Sequence, residues 1–179
     1  MGVDMTVRVF KYDPSDNFYH EISLYVPRDK YNKYYYDEKG NKHEYTDKYA
    51  PVPVYSGRDT EMFDGMKNGD EINGYGHFPW RPVVLPSFEP EVRKELSELP
   101  NKYYYDVNEI SLVGFECYIK TYPEVVDYEK DWSSDKDNSM KENPLKELFK
   151  DICSYITLAD YHSWITTWED YKVVFYFDC

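Results

Sequence analysis

Residues 171–177 read Tyr-Lys-Val-Val-Phe-Tyr-Phe, and this segment constrains the fold more than any other. Its β-branched and aromatic side chains favour an extended backbone. Successive side chains of a strand point to opposite faces, so a strand that is apolar on both faces has to be covered on both. The segment is therefore predicted to be a central strand, with other elements packed above and below it.

The other end of the chain also reads as strand. Met5 to Lys11 alternates, with Met5, Val7 and Val9 on one face and Thr6, Arg8 and Phe10 on the other. Turn formers fill Asp13 to Asn17, and Phe18 to Val26 reads as a second strand, so the N-terminus is expected to be a β-hairpin. Pro27 to Ala50 shows no sustained period and is rich in Lys, Tyr, Asp and Asn. It reads as a long surface excursion with a hairpin around Glu38-Lys39-Gly40-Asn41, and Pro51 to Tyr55 brings the chain back extended. Helices are predicted over Arg58 to Lys67, where Met62, Phe63 and Met66 form one stripe, and over Glu89 to Leu99, with Val92, Leu96 and Leu99 on one face. Ile110 to Tyr122 reads as one or two strands with a bulge at Gly114, and Asp127 to Glu142 as an exposed loop. Asn143-Pro144 opens a helix to about Ile152, followed by a separate short helix over Ile156 to Tyr161 capped by Thr157. The sum is an α+β fold: one domain over residues 1–179, mainly antiparallel sheet, with a few short helices and long surface loops.

Charge narrows the possible partners. The 179 residues carry 21 basic and 34 acidic side chains, a net charge of −13. A nucleic-acid binder needs a basic footprint to neutralise phosphates, so direct nucleic-acid binding is not expected, nor is an anionic membrane as partner. An acidic surface suits solubility, or a basic protein partner that normally receives DNA. Cys117, Cys153 and Cys179 are widely spaced with no CxxC pair, which points away from a disulfide framework or zinc site and toward a reducing compartment. No apolar run reaches spanning length and no signal peptide is legible. The start Met1-Gly2-Val3-Asp4-Met5-Thr6 formally fits a myristoylation signal, a pattern short enough to arise by chance.

Five segments occur in an order that resembles a widespread family of small phage and prophage proteins. They are the opening VDMTVRVFKYD, then YSGRDTEMFDGMKN with NGYG, then LPSFEPEVRKEL, CSYITLADY and the terminal VVFYFD. The family opens with a "DIHxxxE"-like strand and continues with "GR(N/D)YxLFxxLAxVRNGYG", "GLPxDxSxEV", "HSxSYLTLxEL" and a final "VFWFD". Here Arg58-Asp59, Asn73-Gly74-Tyr75-Gly76 and Ser154-Tyr155-Ile156-Thr157-Leu158 match it most closely. Against that pattern, the 27–50 and 127–142 segments look like insertions. Where the family has histidine in its opening strand this chain has Met5 or Thr6, and Asp151-Ile152-Cys153 precede the fourth motif. A mechanism built on those histidines does not transfer. The resemblance implies a phage origin and the host cytoplasm, and it implies no chemistry.

Of the residues that could carry chemistry, His20, His43, His77 and His162 are scattered without metal-ligand spacing, and no P-loop or nucleophile elbow is present. No catalytic residue, metal or cofactor is expected, and Cys153 reads as a buried inert thiol. The strongest ligand candidates are Arg58, Tyr75, His77, Trp80 and Arg81, which surround a Gly- and Pro-rich aromatic loop. Arginine offers a planar fork to phosphate and the rings offer stacking faces. The competing structural reading pairs Arg58 with a carboxylate and has Trp80 cover a core edge. The function expected from this pattern is a non-enzymatic counter-defence protein sequestering a small phosphorylated or nucleotide-like host molecule. The alternatives are an acidic DNA-mimic inhibitor of a basic host protein such as a nuclease or defence factor, and a nucleotide-acting enzyme.

Overall fold

The computed structural model describes residues 4–57, 62, 66, 78–103, 106–121, 125–127, 140–142, 144–163 and 167–178. The terminal segment forms β12 (Tyr171–Asp178) and occupies the middle of a six-stranded antiparallel sheet. On one side it pairs with β1 (Asp4–Asp13), with Val9 opposite Val173, and on the other with β9 (Asn108–Ser111), with Ile110 opposite Val173. The two-residue β8 (Arg81–Pro82) closes the β9 side. The far side of β1 is shared: β2 (Phe18–Ile22) pairs with its second half and β7 (Ser56–Gly57) with its first.

Both faces of β12 are covered, as its composition demands. Tyr171, Val173, Phe175 and Phe177 join Met5, Val7 and Val9 in the larger core, together with helices α2 (Leu112–Thr121) and α3 (Pro144–Ala159). Val174 turns to the opposite face, where Phe10, Phe88 and Val107 meet Val92, Leu96 and Leu99 of α1 (Pro90–Tyr103). Arg8 ties this second face together, donating to Glu21 on β2 and to Glu95 on α1. The fold is α+β and mainly antiparallel sheet, and among the described residues no helix is long and apolar enough to cross a membrane.

Several expectations hold in detail. The β1–β2 hairpin turns through Asn17, whose φ of 61° is left-handed, a conformation asparagine tolerates better than most residues. Tyr12 donates to its side chain at 2.7 Å. Met62 and Met66 are both helical and buried, while the rest of the helix expected over 58–67 lies outside the described residues. The helix expected over 89–99 runs on to Tyr103.

Others need correction. Ile110 to Tyr122 is not all strand: β9 ends at Ser111 and α2 begins at once, so Gly114 sits in a helix and not in a bulge. Leu112, Phe115 and Tyr118 recur every three residues and are all buried, a helical stripe within a run whose composition favours strands. Ser111 starts the helix by accepting the Gly114 N–H at 3.0 Å through its hydroxyl. The separate helix over Ile156 to Tyr161 does not exist. α3 is continuous to Ala159, and Thr157 is no cap, its hydroxyl donating back to the Cys153 carbonyl at 2.9 Å. The exposed loop expected over 127–142 begins and ends in paired strands, β10 (Val125–Asp127) against β11 (Met140–Glu142), and residues 128–139 lie outside the described residues.

Residues 24–52 form a two-tiered arm standing outside both cores. The lower tier pairs β3 (Leu24–Pro27) with β6 (Tyr49–Val52), and the upper pairs β4 (Tyr34–Tyr36) with β5 (Lys42–Glu44). At the tip, Gly40 takes a φ of 80°, and the Asp37 carboxylate accepts from the backbone N–H groups of Lys39 and Asn41 and from His43. At the root, the Tyr155 hydroxyl accepts the Leu24 N–H and donates to the Val52 carbonyl, each at 2.8 Å. One side chain of α3 thereby holds both strands of the lower tier. The expected Phe18–Val26 strand divides at Ser23, β2 pairing with β1 and β3 with β6.

Candidate functional site

Arg58, Tyr75 and His77 lie outside the described residues. Trp80 and Arg81 are adjacent in sequence but serve opposite faces of the sheet. Trp80 packs edge-on against Phe78, Phe175 and Phe177, at ring separations of 5.7, 6.2 and 5.7 Å, at the margin of the larger core. Arg81 donates through Nε and Nη2 to Glu109 Oε1, both at 3.2 Å. Glu109 is 2% exposed, and its other oxygen accepts from Lys172 Nζ at 3.0 Å and from the Val84 N–H at 3.3 Å. Lys172 in turn donates to Ser87 Oγ at 2.6 Å, and its ammonium lies 4.1 and 4.0 Å from the Tyr19 and Phe88 ring centroids. Burial pushes the Lys172 pKa down, while Glu109 opposes the shift. Glu109 thus receives both cations and a backbone N–H, while the rest of the Arg81 guanidinium, whose side chain is 70% exposed, faces solvent. The cluster is a satisfied internal ion network, and Arg81 belongs to it.

A cleft of about 700 Å³ opens beside β1, β2 and the end of α3. Lys11 donates to Asp160 at 2.8 Å and Tyr171 donates to the same oxygen at 2.5 Å. Burial alone would raise the Asp160 carboxyl, but these two bonds and the His162 N–H hold it below the usual range. With Asp13, Glu21 and Asp170 also lining the cleft, carboxylates outnumber cations. Asp13, Asp16 and His20 bring possible ligand atoms within 4.8 Å of one another. His20 nevertheless directs Nε2 at Asp16 (2.6 Å) and Nδ1 at Glu89 (2.8 Å), the arrangement of a charged imidazolium with no lone pair left for a metal.

Burial works against that charge, but Asp16 and Glu89 outweigh it and raise the His20 pKa above its ordinary 6.5. The stabilisation is therefore fully present below pH 6.5 and is lost as pH rises through the folded value. A histidine NMR titration is expected to show His20 changing charge above 6.5, and Asp16→Asn is expected to lower that midpoint. A wild-type midpoint at or below 6.5 would contradict the assignment. Cys153 is the opposite case: burial, with a smaller contribution from Glu116, pushes its thiol up to about 11, which leaves almost no thiolate at neutral pH.

The arm presents a different surface. Residues 27–50 hold six basic and five acidic side chains, so the acidic excess resides wholly in the rest of the chain. On one face of the upper tier four planar groups stack in a column. The Arg28 guanidinium lies 3.7 Å from the Tyr45 centroid, Tyr45 lies 4.7 Å from Tyr35, and Tyr35 stacks on His43 at 5.2 Å and 25°. Tyr31, Tyr34, Tyr36 and Tyr49 are exposed around it. Beside the column, where the tiers meet, is a second cleft of about 550 Å³. Unlike the 700 Å³ cleft, it holds more cations than carboxylates. The sequence reading placed the Arg-and-aromatic chemistry in the 74–82 loop and treated 27–50 only as an excursion. The signal was present: Lys33, Tyr35, His43 and Tyr45 each sit two residues apart within their strand segments.

Compared with known proteins, the chain finds no match: no family model, no curated protein and no solved structure corresponds to it.

Proposed function

We propose that this is a phage-encoded, non-enzymatic binding protein whose recognition element is the arm. The observation that carries this reading is the set of exposed tyrosines on a structure that neither core requires: Tyr25, Tyr31, Tyr36 and Tyr49 are each more than half exposed. Tyrosine offers a large, rigid ring with a polar tip at small entropic expense, which is why binding surfaces are rich in it. Neither the Lys172–Glu109 network, whose carboxylate is fully engaged, nor the protonated Cys153 thiol favours chemistry. The phage origin and a counter-defence role rest on the resemblance of the sequence motifs.

The test replaces residues 28–48 with Asn-Gly, a two-residue turn that joins the Pro27–Tyr49 pair. The body is expected to keep its unfolding midpoint to within about 1 kcal/mol, because the deleted residues touch neither core. Native mass spectrometry after incubation with lysate of phage-infected cells should show a discrete small mass on the intact chain and none on the armless one. A mass retained without the arm would move the site elsewhere. The acidic 700 Å³ cleft favours a second reading, an inhibitor of a basic host protein. That reading predicts a host protein released at high salt and retained by the armless variant.

A further inference from the structure

We infer that the cleft where the two tiers of the arm meet is an anion site for the phosphate of a small phosphorylated ligand; this rests on the reading of the arm as the recognition element. Arg28, Lys30, Lys33 and Lys48 line the cleft with Asp29, Glu44 and Asp47. Two of these three carboxylates are already committed. Asp29 accepts the N–H groups of Tyr31 and Asn32 at 2.8 and 3.2 Å, and Glu44 pairs with Lys33 at 3.1 Å. Arg28, Lys30 and Lys48 form no ion pair among the described residues. Lys30 lies 4.8 Å from the Tyr31 ring centroid, and in a chain of net charge −13 three cations without a carboxylate partner around one concavity are not explained by solubility.

The guanidinium is also held in place before any ligand arrives. Its face rests on Tyr45, which rests on Tyr35, and Nη1 is fixed by the Asn32 carbonyl at 3.0 Å. Its Nε is buried and donates to no acceptor among the described residues, so the donors left for a ligand are on the two terminal nitrogens. A fixed planar fork flanked by two ammonium groups matches the several oxygens and the double charge of a phosphate monoester better than a single carboxylate. Exposed rings such as Tyr31 and Tyr49 then stand outside the cleft for an aromatic group carried by that ester.

The experiment is isothermal titration of the intact protein with inorganic phosphate, pyrophosphate, adenosine monophosphate and acetate. The phosphate-containing probes are expected to bind at least tenfold more tightly than acetate, with affinity falling as salt rises. Adenosine monophosphate binding more tightly than phosphate identifies a nucleotide-like ligand; equal binding identifies free phosphate, and both support the site. Arg28→Ala is expected to weaken binding at least tenfold. Lys48→Glu, which leaves the ring column untouched, should do the same even if Arg28→Ala loosens the arm. Lys94→Glu, exposed on α1, should change nothing. No binding of any phosphate probe, acetate binding as well as phosphate, or unaltered binding by Lys48→Glu would overturn the assignment. If those results came from a chain whose small-molecule mass still vanished with the arm, the anion site would fail while the arm reading stood.

Discussion

Replacing Glu109 with alanine is expected to destabilise the fold by about 3–5 kcal/mol, among the largest effects of any single substitution in this chain. Glu109 lies between two cations, and without it Lys172 retains, among the described residues, the Ser87 hydroxyl and two ring faces for a buried charge. Arg81 can turn its exposed guanidinium to water, but Lys172, with 7% of its side chain exposed, cannot. Lys172→Met is therefore expected to cost clearly less than Glu109→Ala, because Arg81 still neutralises the carboxylate it leaves behind. Urea denaturation measures both. Equal costs for the two variants would show that the pair acts as an isolated couple, and a Glu109→Ala effect below about 1 kcal/mol would show the site open to water.

Phe78→Ala is expected to cost a comparable amount, about 3–5 kcal/mol, through an unfilled cavity. Phe78 is fully buried and meets four rings edge-on, those of Trp80, Phe115, Tyr118 and Phe175, with centroids 5.0–5.8 Å apart. It joins the segment before β8 to both α2 and β12, so truncation strips contacts from three elements at once. Leu158→Ala, at a residue 71% exposed, should fall within about 0.5 kcal/mol of wild type and serves as the control. A domain of this size typically has a total stability of only about 5–15 kcal/mol, so combining Phe78→Ala with Glu109→Ala should leave little folded protein. A Phe78→Ala midpoint close to wild type would mean the core repacks around the gap.

The central place of Tyr171 to Phe177 was legible because apolar character on two faces admits few alternatives, whereas its pairing with Met5 to Val9 came only with the structure. Leu112 to Thr121 misled for a local reason. Its aromatic and β-branched residues carry strand preference, whereas the three-residue spacing of Leu112, Phe115 and Tyr118 decides the outcome once a sheet is present for that stripe to cover. The expected division of α3 between Ile152 and Ile156 fails because the buried residues Ile152, Tyr155 and Ile156 continue one helical stripe across it. Of the site residues, Trp80 and Arg81 could be noticed in sequence but not assigned, because their partners Phe177 and Glu109 lie on strands far away in the chain. The Arg28–Tyr45 stack is likewise a product of hairpin register, which composition does not encode.

The double hydrogen bond of Tyr155 makes the arm an interchangeable cassette. The body grips it at Leu24 and Val52, two residues that face each other across the β3–β6 ladder. Whatever lies beyond them can lengthen, shorten or change sequence without altering where the chain leaves and re-enters the sheet. Loop closure adds only about 0.6 kcal/mol for each doubling of length, so the penalty for such exchange is small. Each residue added to both strands of the hairpin would extend its reach by roughly 3.3 Å. The tip can therefore change sequence while the core stands still, and the hydroxyl of one helical tyrosine fixes where both of its strands leave the body.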